Sequence, residues 1–548
     1  MDIFSRYLNR LPSQVFWRLL CYVGLLAALI TTNSCASRGA GIPANVILIT
    51  LDTQRSDHIS AYGSTSVKTP NIDYFGQNGI VFENCYSPIP ITAPAHASLF
   101  YSLPPHELEI YNNGQIFSND KRLTSLAQVF KKKGFVTAAF VSLGVLKSGF
   151  RLNDGFDDYE DSHPEQRWYL HAEEVNERVF PWLDRNNRNN FFIWIHYSDP
   201  HDPYAPPSLP PDLKIKFNGA HYKDICLKHE ERLLFPFRLK KGDNTIEFAV
   251  LNRYPDSRKE YRVSLNDVKY LGSKDVALSY HGIKAVQKGD RTSLLVENTG
   301  HITLTNPGEE KEFRMSAQGR IYLLPSEKVA GYRAEVKYMD EQIGRLIGKL
   351  NQAELLDKTL VVLVGDHGEG LGDHKTRIGD HHFGHIHFLY SEYLKVPLII
   401  RNPLLNEEAT RRKEFTTILD VAPTILEMMG WGKLPFHKGS VLQKTADIKQ
   451  PLIFGETYRP ESTRDRFAGM AYPWHLIFTP SRERYELFNI RDDPSEQHDV
   501  YEEKKSQPEI TDLRKKVTKK SLHILSQKKD IKLDPKSLEM LRSLGYIE

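Results

Sequence analysis

Three short segments each end an apolar run with residues that bind metals or move protons. "VILITLD" closes on Asp52, followed by Thr53. "VVLVGDHGEGLGDH" carries Asp366 and His367, and "HYSDPHDPY" carries Asp199, His201 and Asp202. In open α/β sheets, ligands bind beyond the carboxyl ends of the strands, which is where these groups fall. Carboxylates gathered on one rim repel each other, so a cation is their natural partner. Asp, Asp and His together suit Zn, Mn or Mg, whereas an all-oxygen set would suit Ca better. A single Asp-His pair reads as a capped turn; three strand ends together read as a site for one or two divalent ions.

A fourth segment, "ITAPAHASLF" (Ile91 to Phe100), adds a hydroxyl. Pro94 fits the first turn of a helix, where its missing N–H costs nothing. Thr92 then lies at or just before the cap, at the helix end that favours an anion. Alone, that threonine reads as an N-cap. Beside a metal it reads as an activated nucleophile.

The elements that must position these groups are legible as continuously apolar runs, the pattern of buried parallel strands: Val46 to Leu51, Phe135 to Val141, Phe191 to His196, Leu360 to Val364, Val396 to Ile400 and Pro451 to Phe454. Helical patterns separate them, including Arg122 to Gly134, with Gly134 as its stop, and Arg333 to Gln352. Alternating strands and helices predict an α/β fold with a doubly wound, mostly parallel sheet. Between Asp212 and Ser326 the texture changes to alternating strands such as "NTIEFAVLN" and "TSLLVENTGHITLTN", an inserted antiparallel β-sandwich-like unit. "LKKGDNTIEF" within it resembles turns of carbohydrate-binding jelly rolls. "HLIFTPSRERYELFNIRDDPSE" reads as a hairpin and turn in a small C-terminal α+β layer. The expected organisation is an N-terminal segment 1–43, catalytic parts 44–211 and 327–470, the insertion 212–326, and a C-terminal subdomain with tail 471–548.

The 548 residues carry a net charge of +3, so the overall balance gives no reason to expect a nucleic-acid partner, and the basic run Lys515 to Lys536 reads as a solvated helix and linker. Four cysteines make no disulfide scaffold, and Cys85 and Cys226 read as buried thiols. Arg6, Arg10 and Arg18 precede the apolar run Leu19 to Ile30, and small or polar residues follow. This is the layout of an export signal, and the run is short of the roughly 20 apolar residues of a spanning helix. "TTNSCAS" resembles a relaxed bacterial lipoprotein cleavage site with Cys35 as the lipidated residue. Lipidation, an uncleaved membrane anchor and plain secretion stay open. All three place the catalytic part outside the cytoplasm of a bacterial cell, in the periplasm or envelope.

Taken in order, "NVILITLDTQRSDHISAYG", "TPNIDYFGQNGIVFENCYSP", "TAPAHASLF", "HYSDPHDPYAPP", "GDHGEGLGDH", "YLKVPLIIRNP", "TTILDVAPTILEMMG", "RYELFNIRDDPSE" and "LEMLRSLGY" resemble the sulfatase family of the alkaline phosphatase superfamily, from about Asn45 to Tyr546 with only the insertion outside. The resemblance implies that Asp52, Asp366 and His367 ligate a divalent metal and that Thr92 occupies the nucleophile position on it. It implies a substrate-contacting role for His201, which can also act as an acid or as a ligand of a second metal. It places His385 or His387, in "HHFGHIHFLY", near the leaving group, and His96 where the family motif has a substrate-binding Arg. In that motif, Cys or Ser two residues before Pro becomes formylglycine. Threonine cannot enter that modification. Thr53 likewise stands where relatives often place a second Asp.

The substitution has a chemical consequence. A formylglycine hydrate expels sulfate with its second hydroxyl, whereas a threonine ester must be opened by water or another acceptor. Phosphoryl transfer through an alkoxide works that way. The leading expectation is an exported, metal-dependent hydrolase or transferase of sulfate or phosphate esters on a small-molecule, glycan or lipid substrate, with Thr92 favouring phosphoryl chemistry. A sulfuric ester hydrolase working without formylglycine is one alternative. A catalytically inactive surface binding protein is the other, and the retained Asp52, Asp366 and His367 argue against it. Arg55 and Asp57 are expected to pair and hold their loop, and His106 to be a loop histidine.

Overall fold

The computed structural model describes residues 42–528, apart from segments 120–122, 165–166, 203, 205, 208–210, 226–230, 252–262, 272–274, 289–290, 322–323, 376–378, 405–408, 443–451 and 459–463. The proposed signal with Cys35, Cys226 and the closing "LEMLRSLGY" lie outside the described residues. Among the described residues no helix is long and apolar enough to cross a membrane.

The strands of the first catalytic part are β1 (Asn45–Leu51), β2 (Ile80–Tyr86), β3 (Val136–Phe140), β4 (Asp158–Glu160) and β5 (Phe191–Tyr197). The insertion contributes β6 (Leu213–Phe217), β7 (Ala220–Ile225), β8 (Glu231–Leu239), β9 (Gly242–Val250), β10 (Val263–Leu271), β11 (Ala277–Lys288), β12 (Arg291–Asn306) and β13 (Lys311–Ile321). After it come β14 (Thr359–Gly365), β15 (Gly370–Lys375), β16 (His381–Gly384), β17 (Lys395–Arg401) and β18 (Thr410–Thr417), then β19 (Ile453–Thr457), β20 (Arg466–Ala471), β21 (Trp474–Thr479) and β22 (Arg484–Asn489). The principal helices are α1 (Pro70–Gln77), α2 (Thr92–Tyr101), α3 (Leu126–Lys132), α4 (Ala172–Asn186), α5 (Pro325–Gln352), α6 (Val421–Met428) and α7 (Pro508–Gln527).

The central sheet runs β18-β2-β17-β14-β1-β5-β3-β4. β1 lies parallel between β14 and β5, in the register Leu51↔Gly365 and Leu51↔Tyr197. The doubly wound, mostly parallel sheet is therefore present, with two corrections. The run at Val396 is β17, which pairs antiparallel with both β14 and β2. The run at Pro451 feeds β19, which belongs to the separate antiparallel sheet β19-β20-β21-β22. An apolar run records burial on both faces, not strand direction or sheet membership. Side-chain alternation along β1 splits the core. Val46 and Leu48 pack with α2 and α3 on one face, while Ile47, Ile49 and Leu51 pack with α4 and α5 on the other.

α3 begins later than the expected Arg122, because Ser125 and Gln128 form a reciprocal capping box. Gly134 follows its end at φ +82°, the left-handed stop anticipated from the sequence. α5 begins earlier than expected, at Pro325, where the Glu327 carboxylate accepts from the Leu324 N–H at 2.7 Å.

In the insertion, β12 is shared. Its first half pairs with β10 and its second with β9, while β11 follows its other edge. The wings β7-β6-β9 and β10-β13-β8 diverge from it around one core, and Phe217 stacks on Phe237 at 4.7 Å across them. The C-terminal sheet buries Leu476, Phe478 and Leu487 against Ile510, Leu513 and Val517 of α7.

Candidate active site

The β1–β14 register sets Asp52 beside Asp366, each one residue beyond its strand. Ligand atoms of Asp52, Asp366 and His367 all lie within 4.8 Å of one another and are fully buried. The backbone holds this corner in an unusual shape. Thr53, although β-branched, sits at φ +53°, donates its hydroxyl to the Asp52 carbonyl at 2.7 Å and points its N–H at Asp366 Oδ1 at 3.2 Å. His367 N–H donates to the same Oδ1 at 2.7 Å. Two glycines let the helical turn Ser391–Leu394 approach: a Cβ on Gly368 would lie 2.0 Å from the Glu392 carbonyl, and one on Gly370 would lie 2.2 Å from the Tyr393 hydroxyl.

Asp52 Oδ1 and Asp366 Oδ2 are buried with no hydrogen-bond partner. Burial would raise the Asp52 carboxyl, but the His196 hydrogen bond and the nearby His367 and His201 drive it well below its usual value. Burial and then the Asp52 charge push Asp366 well up. Burial, followed by the His385 charge, lowers His367 to about 3, so its imidazole is neutral. His367 Nδ1–H donates to the Gly368 carbonyl at 3.0 Å, which leaves the Nε2 lone pair toward the carboxylates. Two orphan carboxylate oxygens and one imidazole lone pair fit a divalent cation. Zn, Mn, Mg and Ca all accept such donors.

Thr92 is the first residue of α2, after the N-cap Ile91, so it is one position further into the helix than a cap. Its Oγ1 lies 3.3 Å from His367 Nε2, the same nitrogen that faces the two aspartates. The helix end offers few anion donors. Pro94 has no N–H, and the Ala93 N–H donates to Asn113 Oδ1 at 2.9 Å.

His96 is fully buried and both its nitrogens bind the protein itself. Nδ1–H donates to the Thr92 carbonyl at 2.8 Å, and Nε2 accepts from the Thr50 hydroxyl at 3.1 Å, which in turn accepts from Trp194 Nε1–H at 2.8 Å. Burial lowers His96 to about 3 and keeps it neutral. The chain Trp194–Thr50–His96–Thr92 therefore anchors the threonine backbone to the central sheet. The structure gives His96 this positioning place, where the resemblance implied a substrate contact.

His385 and His387 separate clearly. The His385 ring lies 4.6 Å from that of His367 and 5.1 Å from that of His201, closing the site. Glu369, fully buried, accepts from Tyr204 Oη–H at 2.5 Å and meets His385 Nδ1 at 2.8 Å. Burial opposes the His385 charge, but Glu369 outweighs it and raises the group. His201 moves the other way, lowered by burial and by His385. His387 instead packs on His382, with ring centroids 5.2 Å apart. Asp199, expected on the rim, accepts from the Ala172 N–H at 3.1 Å and caps α4.

Three site residues escaped the sequence reading. His196 Nε2 binds Asp52 Oδ2 at 3.2 Å while its Nδ1 meets the Ser142 hydroxyl at 2.7 Å. Glu369 and Tyr204 form the pair behind His385. All three lie inside the quoted motifs, and only cross-strand register distinguishes them from filler. Arg55 pairs with Asp57 as expected, and also with Asp373 at 2.6 Å, tying the loop to the second strand end.

The mostly parallel sheet thus carries an acidic, histidine-rich rim beyond the carboxyl ends of its strands, where open α/β folds bind their ligands. A sulfatase family model matches residues 44–431, and a model of the N-sulphoglucosamine sulphohydrolase C-terminal region matches residues 379–523. The chain belongs to the sulfatase family, within the alkaline phosphatase superfamily, and is a hydrolase acting on sulfate or phosphate esters. It is 22% identical over 500 residues to an N-acetylglucosamine-6-O-sulfatase of Bacteroides thetaiotaomicron, covering 86% of this chain and 85% of the relative. It is 25% identical over 430 residues to a multifunctional alkaline phosphatase superfamily protein of Trinickia caryophylli, covering 71% and 74%. Similar solved structures include a protein bound to its substrate D-glucosamine-2-N,6-O-disulfate, with TM-score 0.57, 16% identity and 89% and 99% coverage. A phosphonate monoester hydrolase of Agrobacterium radiobacter gives TM-score 0.54 at 18% identity, with 89% and 96% coverage.

Proposed function

We propose that this chain is an exported, metal-dependent phosphoryl-ester hydrolase or transferase in which Thr92 is the nucleophile. The observation that carries the reading is the Thr92 hydroxyl 3.3 Å from His367 Nε2, at the edge of the Asp52–Asp366–His367 group. Asp52, Asp366, His367 and Thr92 would hold the divalent ion, which would supply positive charge beside the ester oxygens and the attacking hydroxyl.

Thr92 Oγ1 gives its proton to solvent water and attacks the phosphorus in line, its new O–P bond forming as the bond to the leaving oxygen breaks. His385, whose protonated form Glu369 favours, gives its proton to that oxygen, and His201, shifted toward its neutral form by burial, accepts hydrogen bonds from the substrate. The threonine ester is then opened by water or an acceptor alcohol on the opposite face. The Trp194–Thr50–His96 chain keeps Thr92 still through both steps. Asp52 keeps its orientation through His196 and Ser142.

The basic N-terminus and Cys35 support export to the periplasm or envelope with a lipid or uncleaved anchor. The substrate would be an ester of a small molecule, glycan or lipid headgroup. A second reading, sulfate-ester hydrolysis by direct attack of water, is favoured by the sulfatases among the relatives. One screen separates the two. Purified protein is assayed on matched aryl phosphate, phosphodiester and sulfate substrates, with and without chelator, alongside Thr92→Ala. Phosphorus substrates turned over by the wild type and lost in both the variant and the chelator support the first reading. Sulfate turnover that survives Thr92→Ala supports the second and overturns the nucleophile.

A further inference from the structure

The outer face of the insertion carries a groove of about 620 Å³ that no catalytic residue lines. Its floor follows from strand register. Lys216 of β6 pairs with Glu247 of β9, Glu247 with His301 of β12, and His301 with His281 of β11, so four strands contribute one transverse row. Lys214, two residues before Lys216, shares its face. The intervening Ile215, Ile246 and Ile302 point the other way into the core. The two imidazoles stack on each other at 4.7 Å with a 20° tilt at one end of the row, and the lysines stand at the other.

The hollow has a structural cause. The ladder between β11 and β12 slips after His281, where Gly282 sits at φ +68° with its Cβ position 2.8 Å from the Thr299 carbonyl. Gly300 across from it has no side chain to obstruct the slip, since a Cβ there would lie 2.4 Å from Ile283 Cγ1. A bulge of this kind bends the sheet locally and re-aims the flanking side chains.

We infer that this groove is a binding site for an anionic oligosaccharide, separate from the active site, recognised by Lys214 and Lys216 on its charged groups and by His281, His301 and Glu247 on its hydroxyls. The volume suits two or three sugar units. Lysines attract charge, imidazole nitrogens exchange hydrogen bonds with hydroxyls, and a half-buried carboxylate accepts from hydroxyls. The inference does not depend on which ester Thr92 attacks, because the groove and the metal group share no residue.

The test uses the full chain carrying Thr92→Ala, so that the probe is not consumed. Binding of a size-defined heparin hexasaccharide is measured by calorimetry beside its desulfated, carboxyl-reduced counterpart, in chelator and at low ionic strength so that the metal site is empty. Binding that falls at least tenfold in Lys214→Ala/Lys216→Ala, falls in His281→Ala/His301→Ala, and weakens with salt is the expected result. These variants, placed in the chain with Thr92 intact, should hydrolyse a small aryl ester at the wild-type rate and melt at the wild-type temperature. Unchanged affinity in both double variants overturns the site. Equal affinity for the desulfated, carboxyl-reduced chain overturns the anionic ligand.

Discussion

Replacing Asp366 by Asn isolates the electrostatic claim at the centre of the site. Asp366 Oδ1 accepts from the backbone N–H groups of Thr53 and His367, and an amide oxygen keeps both bonds. The amide nitrogen then takes the place of Oδ2, the oxygen with no hydrogen-bond partner. In the metal-free protein the change removes repulsion between two buried carboxylates. At the 4.8 Å limit of the group and an effective dielectric of 20, that repulsion is about 3.5 kcal/mol. His96 and His367, both lowered to about 3 by burial, are neutral and offset little of it. Protonation of Asp366 already relieves part of the strain, so the realised gain is about 1–3 kcal/mol. In chelator, Asp366→Asn should therefore melt above the wild type. In excess divalent ion the order should reverse, because a bound ion at a hundredfold its Kd stabilises the wild type by about 2.7 kcal/mol and the variant has lost a charged ligand. The assay is a set of paired melts in chelator and in Zn, Mn, Mg or Ca, read by circular dichroism. A variant that melts below the wild type in chelator refutes the repulsion. A variant that keeps the full ion-induced shift refutes the metal assignment.

Three further outcomes are expected. Thr92→Ser should retain turnover within about tenfold, while Thr92→Ala loses on the order of a thousandfold or more in kcat under saturating metal. His96→Ala should cost about 3–5 kcal/mol, through a cavity and a buried Thr50 hydroxyl left without its acceptor, and should lower kcat more than it raises KM; denaturant melts and steady-state kinetics read the two effects. His374, opposed by burial but raised to about 8 by its bond to Glu392, should support the docking of the C-terminal sheet fully below pH 6.5 and lose that support as pH rises through about 8. Melting of His374→Gln against pH should flatten that slope.

The rim of Asp52, Asp366 and His367 was legible because each residue follows an unbroken apolar run, and strand ends collect ligands in this architecture. The Arg55–Asp57 pair was legible from their spacing. Strand direction was not: the Val396 run looks the same whether it lies parallel or antiparallel, since both faces are buried either way. His96 was assigned to substrate because its position in the motif says nothing of its partners. Those partners, Thr50 and Trp194, come from two other strands' register. His385 and His387 differ by two residues, and the left-handed turn at Ile386 (φ +79°) between them decides which meets His367. Glu369 lay in plain view between two glycines, but its task depends on Tyr204, far away in sequence.

Tyr204 and Tyr332 flank the insertion on either side, and their rings meet edge-on at 5.8 Å. One hydroxyl holds Glu369, and the other donates to the Thr53 carbonyl and accepts from the Arg55 N–H. The neck of the insertion is thus clasped by two side chains that also brace the reaction centre. A module joined through such a clasp is exchangeable: the strands β6 to β13 can be replaced by evolution or an engineer while the two tyrosines and the start of α5 keep hold of the catalytic geometry. Cutting into the clasp itself would disable the enzyme while sparing every residue that touches substrate.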